Sequence, residues 1–311
     1  MEKEGSFSFK QLISCIGCFL RKFMFSILSV GPIPEHIAFI MDGNRRFAKK
    51  QHLLEGDGHK AGYESLLSIL TYCYELGVKF ATVYAFSIEN FKRQPEEVQF
   101  LMDLMVEKIE DLLREGGIIS KYGMRLYFIG NLGLLSEPVQ DAAEKAMRAT
   151  AHNTRAVLLI CVAYTSCDEM VHAVQESCQD KSDGPQASRK NGFSSLEESQ
   201  ICNGAEPKSC LCSPLEEGEV EYHVEREADL PIIKIGDVER HMYMSVAPDP
   251  DIVIRSSGET RLSNFLLWQT AYSPLYAPAA LWPEISVWHL IWVVLDYQRK
   301  YSYLQKKRKQ S

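Results

Sequence analysis

The chain has 311 residues, of which 46% are hydrophobic and 24% are charged. These proportions predict one large globular domain with appendages, or at most two small domains. The formal net charge of -7 gives no electrostatic support for a nucleic-acid partner. The nine cysteines lack paired zinc spacing and lie partly in apolar segments, so they predict neither a disulfide framework nor a zinc site.

Within the N-terminal segment, residues 1–31, residues 7–30 are apolar, but Lys10, Arg21 and Lys22 interrupt them. A spanning helix needs about 20 mostly uncharged residues, and a signal peptide needs an unbroken apolar core, so neither fits. Aromatic and basic residues together predict an amphipathic helix. Such a helix lies on a membrane surface, or it packs on the protein's own body or on a partner.

From residue 32 to residue 305, short β-rich runs alternate with longer helical runs. The predicted strands are Ile37–Met41, Phe80–Phe86, Arg125–Ile129, Val157–Tyr164, Ile252–Ile254 and Leu275–Ala277. Their nearly continuous hydrophobicity is typical of parallel strands covered on both faces. The predicted helices are His59–Leu76, Glu96–Arg114, Pro138–Ala151, Ile232–Met244 and Ile285–Leu304. This order predicts an α/β fold with a parallel central sheet flanked by helices.

Two segments depart from this alternation. Residues 178–230 are rich in Ser, Gly, Glu, Asp and Lys without a sustained period, which predicts a disordered insertion on the surface. Residues 306–311 are strongly basic and predict a tail that faces solvent or a membrane.

Polar residues follow the ends of the predicted strands, where open α/β sheets bind their ligands. They are Asp42–Arg46, Ser87–Arg93, Gly130–Asn131, Tyr164–Ser166 and Arg255–Asn264. Carboxyl ends of parallel strands meet at one edge, so hydroxyl, amide and arginine side chains should gather there. This set of side chains predicts a site for a phosphorylated ligand.

The residue types define the chemistry of that site. Gly43 lets the backbone approach a phosphate closely. Arg255 and Arg261 offer planar forks to diphosphate oxygens, and Ser263 adds a hydroxyl donor. Asp42 can hold a hard cation such as Mg²⁺, whose other ligands would be water and substrate phosphate.

Each of these residues also has a structural interpretation. Asp42 could be a turn or N-cap residue, and His59 could be a histidine of the core. Arg255 and Arg261 could be ion-pair partners or surface residues, and Asn90 could cap a turn. The convergence of several strand ends favours a site over these alternatives.

Two predicted helices, His59–Leu76 and Glu96–Arg114, carry apolar faces that are usually core. Beside a diphosphate site, the same faces could wall a long apolar groove. A diphosphate head with a hydrocarbon tail is an isoprenoid, and the apolar N-terminal segment is compatible with a lipid substrate or product.

Several separate motifs, in the same order, resemble those of the cis-prenyltransferase (undecaprenyl or dehydrodolichyl diphosphate synthase) family. They are HIAFIMDGNRRFAKK, GHKAG, YAFSIENFKR, DIVIRSSGETRLSNFLLWQ and LWPE. The resemblance covers residues 32–177 and 231–300, and the DDxxD pair of trans-prenyltransferases is missing from the sequence. It implies a parallel sheet whose flanking helices enclose a hydrophobic tunnel.

The resemblance also implies a role for each site residue. Asp42 would bind Mg²⁺ and be essential. Gly43, Asn44 and Arg46 would hold an allylic diphosphate, and His59 would lie beside that diphosphate and assist. The implied catalytic loop contains Phe86, Ser87, Asn90 and Arg93. Arg255, Arg261 and Ser263 would bind the diphosphate of isopentenyl diphosphate. The implied reaction starts from farnesyl diphosphate and adds isopentenyl units with cis double bonds, which gives long polyprenyl (dehydrodolichyl) diphosphates.

Three departures from the family pattern matter. Pro274 stands where bacterial members have a metal-binding glutamate, and Glu55 stands where many members have an arginine before GHxxG. The terminal sequence YSYLQKKRKQS carries no Arg-x-Gly motif, which self-sufficient members use to complete a neighbouring site. The AYTS stretch is also of the eukaryotic type.

These departures predict a catalytic subunit similar to eukaryotic dehydrodolichyl diphosphate synthase, at the cytosolic face of the endoplasmic reticulum membrane. A Nogo-B-receptor-like accessory subunit would supply the missing motif. The segment Phe100–Gly123 is slightly longer than in bacterial members, which predicts a deeper tunnel and long products. Two alternatives stay open at this stage: a non-catalytic scaffold subunit of the same complex, and a membrane-associated phosphate-binding adaptor.

Overall fold

The structure of the chain, a computed structural model, describes residues 9–187 and 232–309. Most of the predicted insertion, residues 188–230, lies outside the described residues, as do both ends of the chain. The chain divides into two compact units, residues 1–171 with 242–311 and residues 172–241.

The first unit contains a six-stranded parallel sheet with the strand order β3-β4-β2-β1-β5-β6. The strands are β1 His36–Ile40, β2 Phe80–Tyr84, β3 Met124–Ile129, β4 Ala156–Cys161, β5 Ile252–Arg255 and β6 Leu275–Tyr276. This sheet confirms the predicted α/β class and the strand positions to within a few residues. The central strand β1 is buried along its whole length, which accounts for its unbroken hydrophobicity.

Alternate residues of the central strand face two different apolar layers. Ile37 and Phe39 pack in the larger cluster, with residues from the helices, whereas Ala38 and Ile40 pack in a second cluster on the other face. The second cluster contains Phe265 from the loop that follows β5. That loop therefore belongs to the core as well as to the strand-end region.

The helices follow the predicted alternation. They are α1 Phe9–Leu28, α2 Asn44–Lys50, α3 Glu55–Leu76, α4 Pro95–Leu113, α5 Ile118–Tyr122, α6 Glu137–Ala149, α7 Ser166–Ala187, α8 Ile235–His241 and α9 Val287–Arg308. Gly77 ends α3 in the left-handed conformation with φ of 102°, as its position predicted.

Helix α1 confirms the predicted amphipathic N-terminal helix. Phe25 and Leu28 are buried in the core, whereas Phe19 and Phe23 are exposed on the other side. Within the described residues, every helix is too short or too polar to cross a membrane.

Two predicted boundaries differ from the structure. Helix α7 continues to Ala187, so residues 178–187 are helical rather than part of the insertion. The predicted helix Ile232–Met244 is shorter, because Met242 has an extended backbone and residues after it form a 3₁₀ turn. In the second unit, His241 Nε2 lies 3.0 Å from Asp180 Oδ2.

The basic run at the C-terminal end also differs from the prediction. Helix α9 extends through Arg308, whose Nη1 donates to Asp251 Oδ1 at 2.7 Å. Asp251 Oδ2 in turn accepts from the backbone N–H of His36 at 3.2 Å, at the start of β1. Helix α9 therefore ends at the amino edge of the sheet instead of as a free tail from residue 306.

Candidate active site

The carboxyl ends of β1, β2 and β5 bring the predicted site residues to one edge of the sheet. All of them line two polar cavities, which share Asp42, Asn44, His59 and Arg93. The other members of the predicted set in these cavities are Gly43, Arg46, Phe86, Ser87, Asn90, Arg255, Arg261 and Ser263. The structure therefore brings these residues together, with His59 contributed by α3, and their role as a functional site remains a proposal.

Asp42 lies directly after β1 and carries two guanidinium partners. Arg255 Nη2 donates to its Oδ2 at 2.8 Å, and Arg46 Nη2 donates to its Oδ1 at 3.0 Å. Partial burial acts to raise the pKa of this carboxyl, but the hydrogen bonds from Arg255 and Arg46 outweigh burial, so its pKa lies below the ordinary value. The Asp42 side chain is therefore ionised at neutral pH.

The backbone of Asp42 is held as firmly as its side chain. Ser256 Oγ accepts from the Asp42 N–H at 2.9 Å and donates to the Asp42 carbonyl at 2.6 Å. The Trp282 N–H donates to the same carbonyl at 3.0 Å. The sequence reasoning did not assign a role to Ser256, although it follows β5 directly and a hydroxyl there can reach the neighbouring strand β1.

Arg255 connects Asp42 to the loop that follows β5. Its side chain is only 5% exposed, and its Nη1 donates to Ser263 Oγ at 2.7 Å and to the Arg261 carbonyl at 2.6 Å. Arg255 is therefore not a surface residue. Arg261 does form the alternative ion pair with Glu259, and both side chains of that pair remain accessible to solvent.

Gly43 adopts a conformation that its sequence position requires. Its φ of 110° lies in the left-handed region, and a Cβ there would lie 2.9 Å from the Leu281 side chain. The glycine allows the chain to turn from β1 into α2, which places Arg46 one turn from Asp42. Arg46 Nη2 also donates to Ser257 Oγ at 2.7 Å.

The segment after β2 is a capped 3₁₀ turn, Ile88–Lys92. The Asn90 side chain accepts from the Ser87 N–H at 3.0 Å, and Ser87 Oγ accepts from the Glu89 N–H at 3.2 Å. Asn90 therefore caps this turn, as its structural interpretation expected. The same residue also lines the polar cavity, so the cap is compatible with a role in the site. Ser87 lines the same cavity.

Arg93 is positioned by a carboxylate that the sequence reasoning missed. Its Nη1 donates to Glu97 Oε1 at 2.7 Å, with Glu97 in the first turn of α4. Arg93 and Glu97 are four residues apart at the start of a predicted helix, and this spacing in the sequence favours an ion pair.

An apolar cavity of about 160 Å³ adjoins the polar cavities. It shares Met41, Asn44, His59 and Phe86 with them. Its other walls come from α3, α4 and the sheet, and include Leu66, Leu104, Met105, Ile109, Leu112, Phe128, Leu158 and Ile160. The predicted groove between the two apolar helices is therefore present in the structure.

The donor set suits a metal ion that arrives with a phosphate ligand. No cluster of three His, Cys, Asp or Glu side chains that could hold a metal occurs among the described residues. Asp42 offers a carboxylate whose side chain is 26% exposed, and Glu89, which also lines the polar cavity, pairs with Lys92. Mg²⁺ is commonly held by one or two carboxylates together with water and substrate phosphates, so the Asp42 carboxylate fits it.

A parallel sheet whose polar edge opens onto an apolar cavity suits an apolar ligand with a phosphorylated head. The family model described as "Putative undecaprenyl diphosphate synthase" matches residues 40–304, so the chain belongs to the undecaprenyl diphosphate synthase family of prenyltransferases.

Curated relatives match along nearly the whole chain. Dehydrodolichyl diphosphate synthase CPT3 of Solanum lycopersicum is 57% identical over 95% of this chain and 95% of its own length. Rubber cis-polyprenyltransferase HRT2 of Hevea brasiliensis is 52% identical over 94% and 93% of the two chains. Human dehydrodolichyl diphosphate synthase complex subunit DHDDS is 38% identical over 93% and 74%.

The fold also resembles a solved prenyl diphosphate synthase. Lavandulyl diphosphate synthase from Lavandula x intermedia, in complex with dimethylallyl diphosphate, superposes with a TM-score of 0.65 at 25% identity. The match covers 86% of this chain and 95% of the lavender enzyme.

Proposed function

We propose that this chain condenses isopentenyl diphosphate onto farnesyl diphosphate and makes long-chain polyprenyl (dehydrodolichyl) diphosphate with cis double bonds. The observation that carries the proposal is the continuity of an arginine-rich polar cavity around Asp42 with the apolar cavity between α3 and α4. The first would take diphosphate groups and the second a growing hydrocarbon chain. The relatives named for dehydrodolichyl diphosphate and rubber synthesis support this substrate class.

The proposed mechanism depends on where charge develops. Arg255, Arg261 and Ser263 hold the isopentenyl diphosphate, and Gly43, Asn44 and Arg46 hold the allylic diphosphate. The allylic carbon–oxygen bond breaks and diphosphate leaves with the electron pair. The isopentenyl double bond attacks that carbon, and loss of a proton forms the new double bond. Arginine donors placed around the leaving group stabilise its increasing negative charge.

The remaining site residues orient the two substrates. Asp42 would hold Mg²⁺, which, when bound, helps to neutralise the departing diphosphate. Phe86, Ser87, Asn90 and Arg93 lie on the capped segment after β2, and His59 lies at the junction of the polar and apolar cavities. A segment fixed by its own hydrogen bonds can keep two substrates aligned with little loss of entropy on binding.

The test is Mg²⁺-dependent incorporation of labelled isopentenyl diphosphate into polyprenyl products. We expect Asp42→Ala to lose at least about 100-fold in kcat/KM, since removing a charge-stabilising group at a reacting centre has effects of this order. Asp141→Ala, which removes an exposed carboxylate on α6, is the matched control and should retain full activity. Equal incorporation by the Asp42 variant and the wild type would refute the proposal.

We further propose that the chain acts as the catalytic subunit of a heteromer with a Nogo-B-receptor-like accessory subunit. The printed name of the human relative, a complex subunit, supports this.

Purification with and without the accessory subunit tests this heteromer. We expect the isolated chain to show only a small fraction of the activity of the co-purified complex, with no change in the fold of the isolated chain by circular dichroism. Full chain elongation by the isolated chain would contradict the heteromer proposal and leave the proposed reaction intact.

A further inference from the structure

A buried carboxylate behind the site has no role in the mechanism above. Glu169, in the first turn of α7, is fully inaccessible to solvent. Its Oε2 accepts from Tyr164 Oη at 2.5 Å and from Gln269 Nε2 at 3.1 Å, and its Oε1 accepts from the Met244 N–H at 2.9 Å. A carboxylate is costly to bury, so one that accepts several hydrogen bonds from separate segments holds those segments together.

One of these segments is the loop that carries Arg261 and Ser263. Ser263, Asn264 and Leu266 have φ values of 50°, 57° and 46°. Residues with a Cβ rarely adopt this left-handed conformation, and they persist in it only where the surroundings impose it. The loop 262–269 therefore needs external support to keep Ser263 facing the cavity.

The start of α7 supplies that support at both ends of the loop. The Ser166 N–H donates to the Asn264 carbonyl at 2.8 Å, and Ser166 Oγ accepts from the Leu267 N–H at 2.9 Å. One turn further along α7, Glu169 holds the Gln269 side chain. Of the strained residues, Leu266 lies between these attachment points, Asn264 is one of them, and Ser263 directly precedes it.

Glu169 is also connected to the catalytic segment after β2 through Tyr164. The Ile88 N–H donates to the Tyr164 carbonyl at 3.3 Å, and the Tyr164 N–H donates to the Phe86 carbonyl at 3.3 Å. The hydroxyl of the same tyrosine donates to Glu169. The carboxylate thus bonds directly to Gln269 of the 262–269 loop and is connected to the Phe86–Ile88 segment through Tyr164.

We propose that Glu169 is a positioning residue that sets the 262–269 loop against the Phe86–Ile88 segment, and so controls binding of isopentenyl diphosphate by Arg261 and Ser263. The proposal rests on the proposed function, because it takes isopentenyl diphosphate as the ligand of this loop. Glu169 itself touches neither substrate, and it acts through Gln269 and Tyr164.

The test replaces the carboxylate by its amide in the full chain, assayed with its accessory subunit. In Glu169→Gln, an NH₂ group replaces one acceptor oxygen and faces groups that themselves donate hydrogen bonds. The hydrogen bond between the loop and residue 169 is therefore lost or weakened. We expect KM for isopentenyl diphosphate to rise on the order of tenfold, because small displacements of binding groups have effects of at least this size. KM for farnesyl diphosphate should change less than twofold, a split that a purely structural role would not produce.

Asp168→Asn is the matched control. Asp168 precedes Glu169 on the same helical turn, and its Oδ2 accepts from Tyr243 Oη at 3.1 Å. It makes a comparable hydrogen bond outside the strained loop, so its amide variant should leave both KM values unchanged. Gln269→Leu removes the loop's side of the contact without altering the carboxylate, and it should raise the same KM as Glu169→Gln.

The outcomes separate this proposal from the proposed function. If the wild type elongates prenyl diphosphates but both variants keep the wild-type KM for isopentenyl diphosphate, the positioning role is refuted. An equal rise of both KM values would also refute it, since that result indicates general loosening of the fold. If Glu169→Gln does not fold, the result with Gln269→Leu decides. A wild type without prenyl-elongating activity refutes the proposed function instead.

Discussion

Both oxygens of the Asp42 carboxylate already accept hydrogen bonds from guanidinium groups, of Arg46 and Arg255. A divalent cation that binds Asp42 must compete with these positive charges. A diphosphate offers the same arginines better acceptors and brings its own metal ligands. Binding of metal and diphosphate at this site should therefore be mutually reinforcing.

The prediction concerns metal affinity rather than turnover. We expect Mn²⁺, used as a paramagnetic substitute for Mg²⁺, to bind the protein weakly alone and at least about fivefold more tightly with inorganic pyrophosphate, a typical coupling for linked sites. Electron paramagnetic resonance of free Mn²⁺, with equilibrium dialysis, measures this. Arg46→Gln removes one competing charge and should tighten Mn²⁺ binding in the absence of pyrophosphate.

Asp42→Asn provides the control, because it leaves the arginines in place and removes the metal-binding charge. It should abolish the pyrophosphate-dependent increase in bound Mn²⁺. Equal Mn²⁺ affinity with and without pyrophosphate in the wild type would contradict the competition between metal and arginines.

At the scale of single elements, α1 has two faces of different character. Exposed apolar residues recur with helical spacing along one face, at Ile16, Phe19, Leu20, Phe23 and Ile27. The other face is attached to the body of the protein, where Arg21 Nε pairs with Glu75 Oε2 at 3.0 Å. An attached helix with an open apolar face suits the proposed contact with the cytosolic surface of the endoplasmic reticulum membrane.

We expect the double variant Phe19→Glu/Phe23→Glu to lose at least about tenfold in affinity for vesicles of phosphatidylcholine and phosphatidylserine. Two large apolar side chains leave the interface, and two negative charges face anionic lipid. Vesicle co-sedimentation gives the measurement, and elongation of a short water-soluble primer should persist.

Leu134→Glu changes an exposed leucine on a different part of the surface and is the matched control for lipid binding. If the α1 variant and the wild type sediment with vesicles to the same extent, the apolar face of α1 does not bind the membrane, and the prediction is wrong.

At the scale of the whole molecule, His36 joins three parts of the sheet edge opposite the site. Its Nδ1 donates to the Pro248 carbonyl at 2.6 Å, and its Nε2 accepts from Thr82 Oγ1 at 2.7 Å on the neighbouring strand. Burial lowers the pKa of this imidazole from 6.5 to about 4, against the opposing effect of the Pro248 carbonyl. The ring is therefore neutral in the folded protein at neutral pH.

The sign of the pH dependence follows from this lowered pKa. The unfolded chain takes up the His36 proton near pH 6.5, whereas the folded chain resists it until about pH 4. The contribution of the neutral His36 ring to the free energy of unfolding is therefore complete above pH 6.5, and it is lost as the pH decreases toward 4. From pH 7 to pH 5 this one residue should remove about 2 kcal/mol from the free energy of unfolding.

Urea unfolding at pH 7 and pH 5 measures that change. His36→Gln should be less stable than the wild type at pH 7, but it should lose about 2 kcal/mol less between the two pH values. The change in unfolding free energy between the two pH values is compared in the variant and the wild type. This comparison removes the contribution of the other titratable groups, which both proteins share. An identical pH dependence in the variant and the wild type would show that the pKa of His36 does not differ between the folded and the unfolded chain.

Local patterns in the sequence predicted most of the architecture. Continuous apolar runs such as Ile37–Met41 indicated buried parallel strands, because both faces of such strands are covered. Parallel strands also end at a common edge, so the sequence predicts that the polar residues after them lie close together. The family motifs then connected Asp42, Arg255 and Ser263 to diphosphate chemistry.

Only the tertiary structure determined which groups satisfy one another. Arg255 pairs with Asp42 from 213 residues away, and Gln269 reaches Glu169 from 100 residues away. Such pairs depend on strand register and on how a loop returns to the core, which local periodicity does not contain. Helix α7 likewise extends into a polar stretch that by composition indicated an insertion. Short-range residue patterns therefore determined the sheet and the chemical character of its carboxyl edge, whereas long-range packing decided each partner, since partners are selected by spatial proximity.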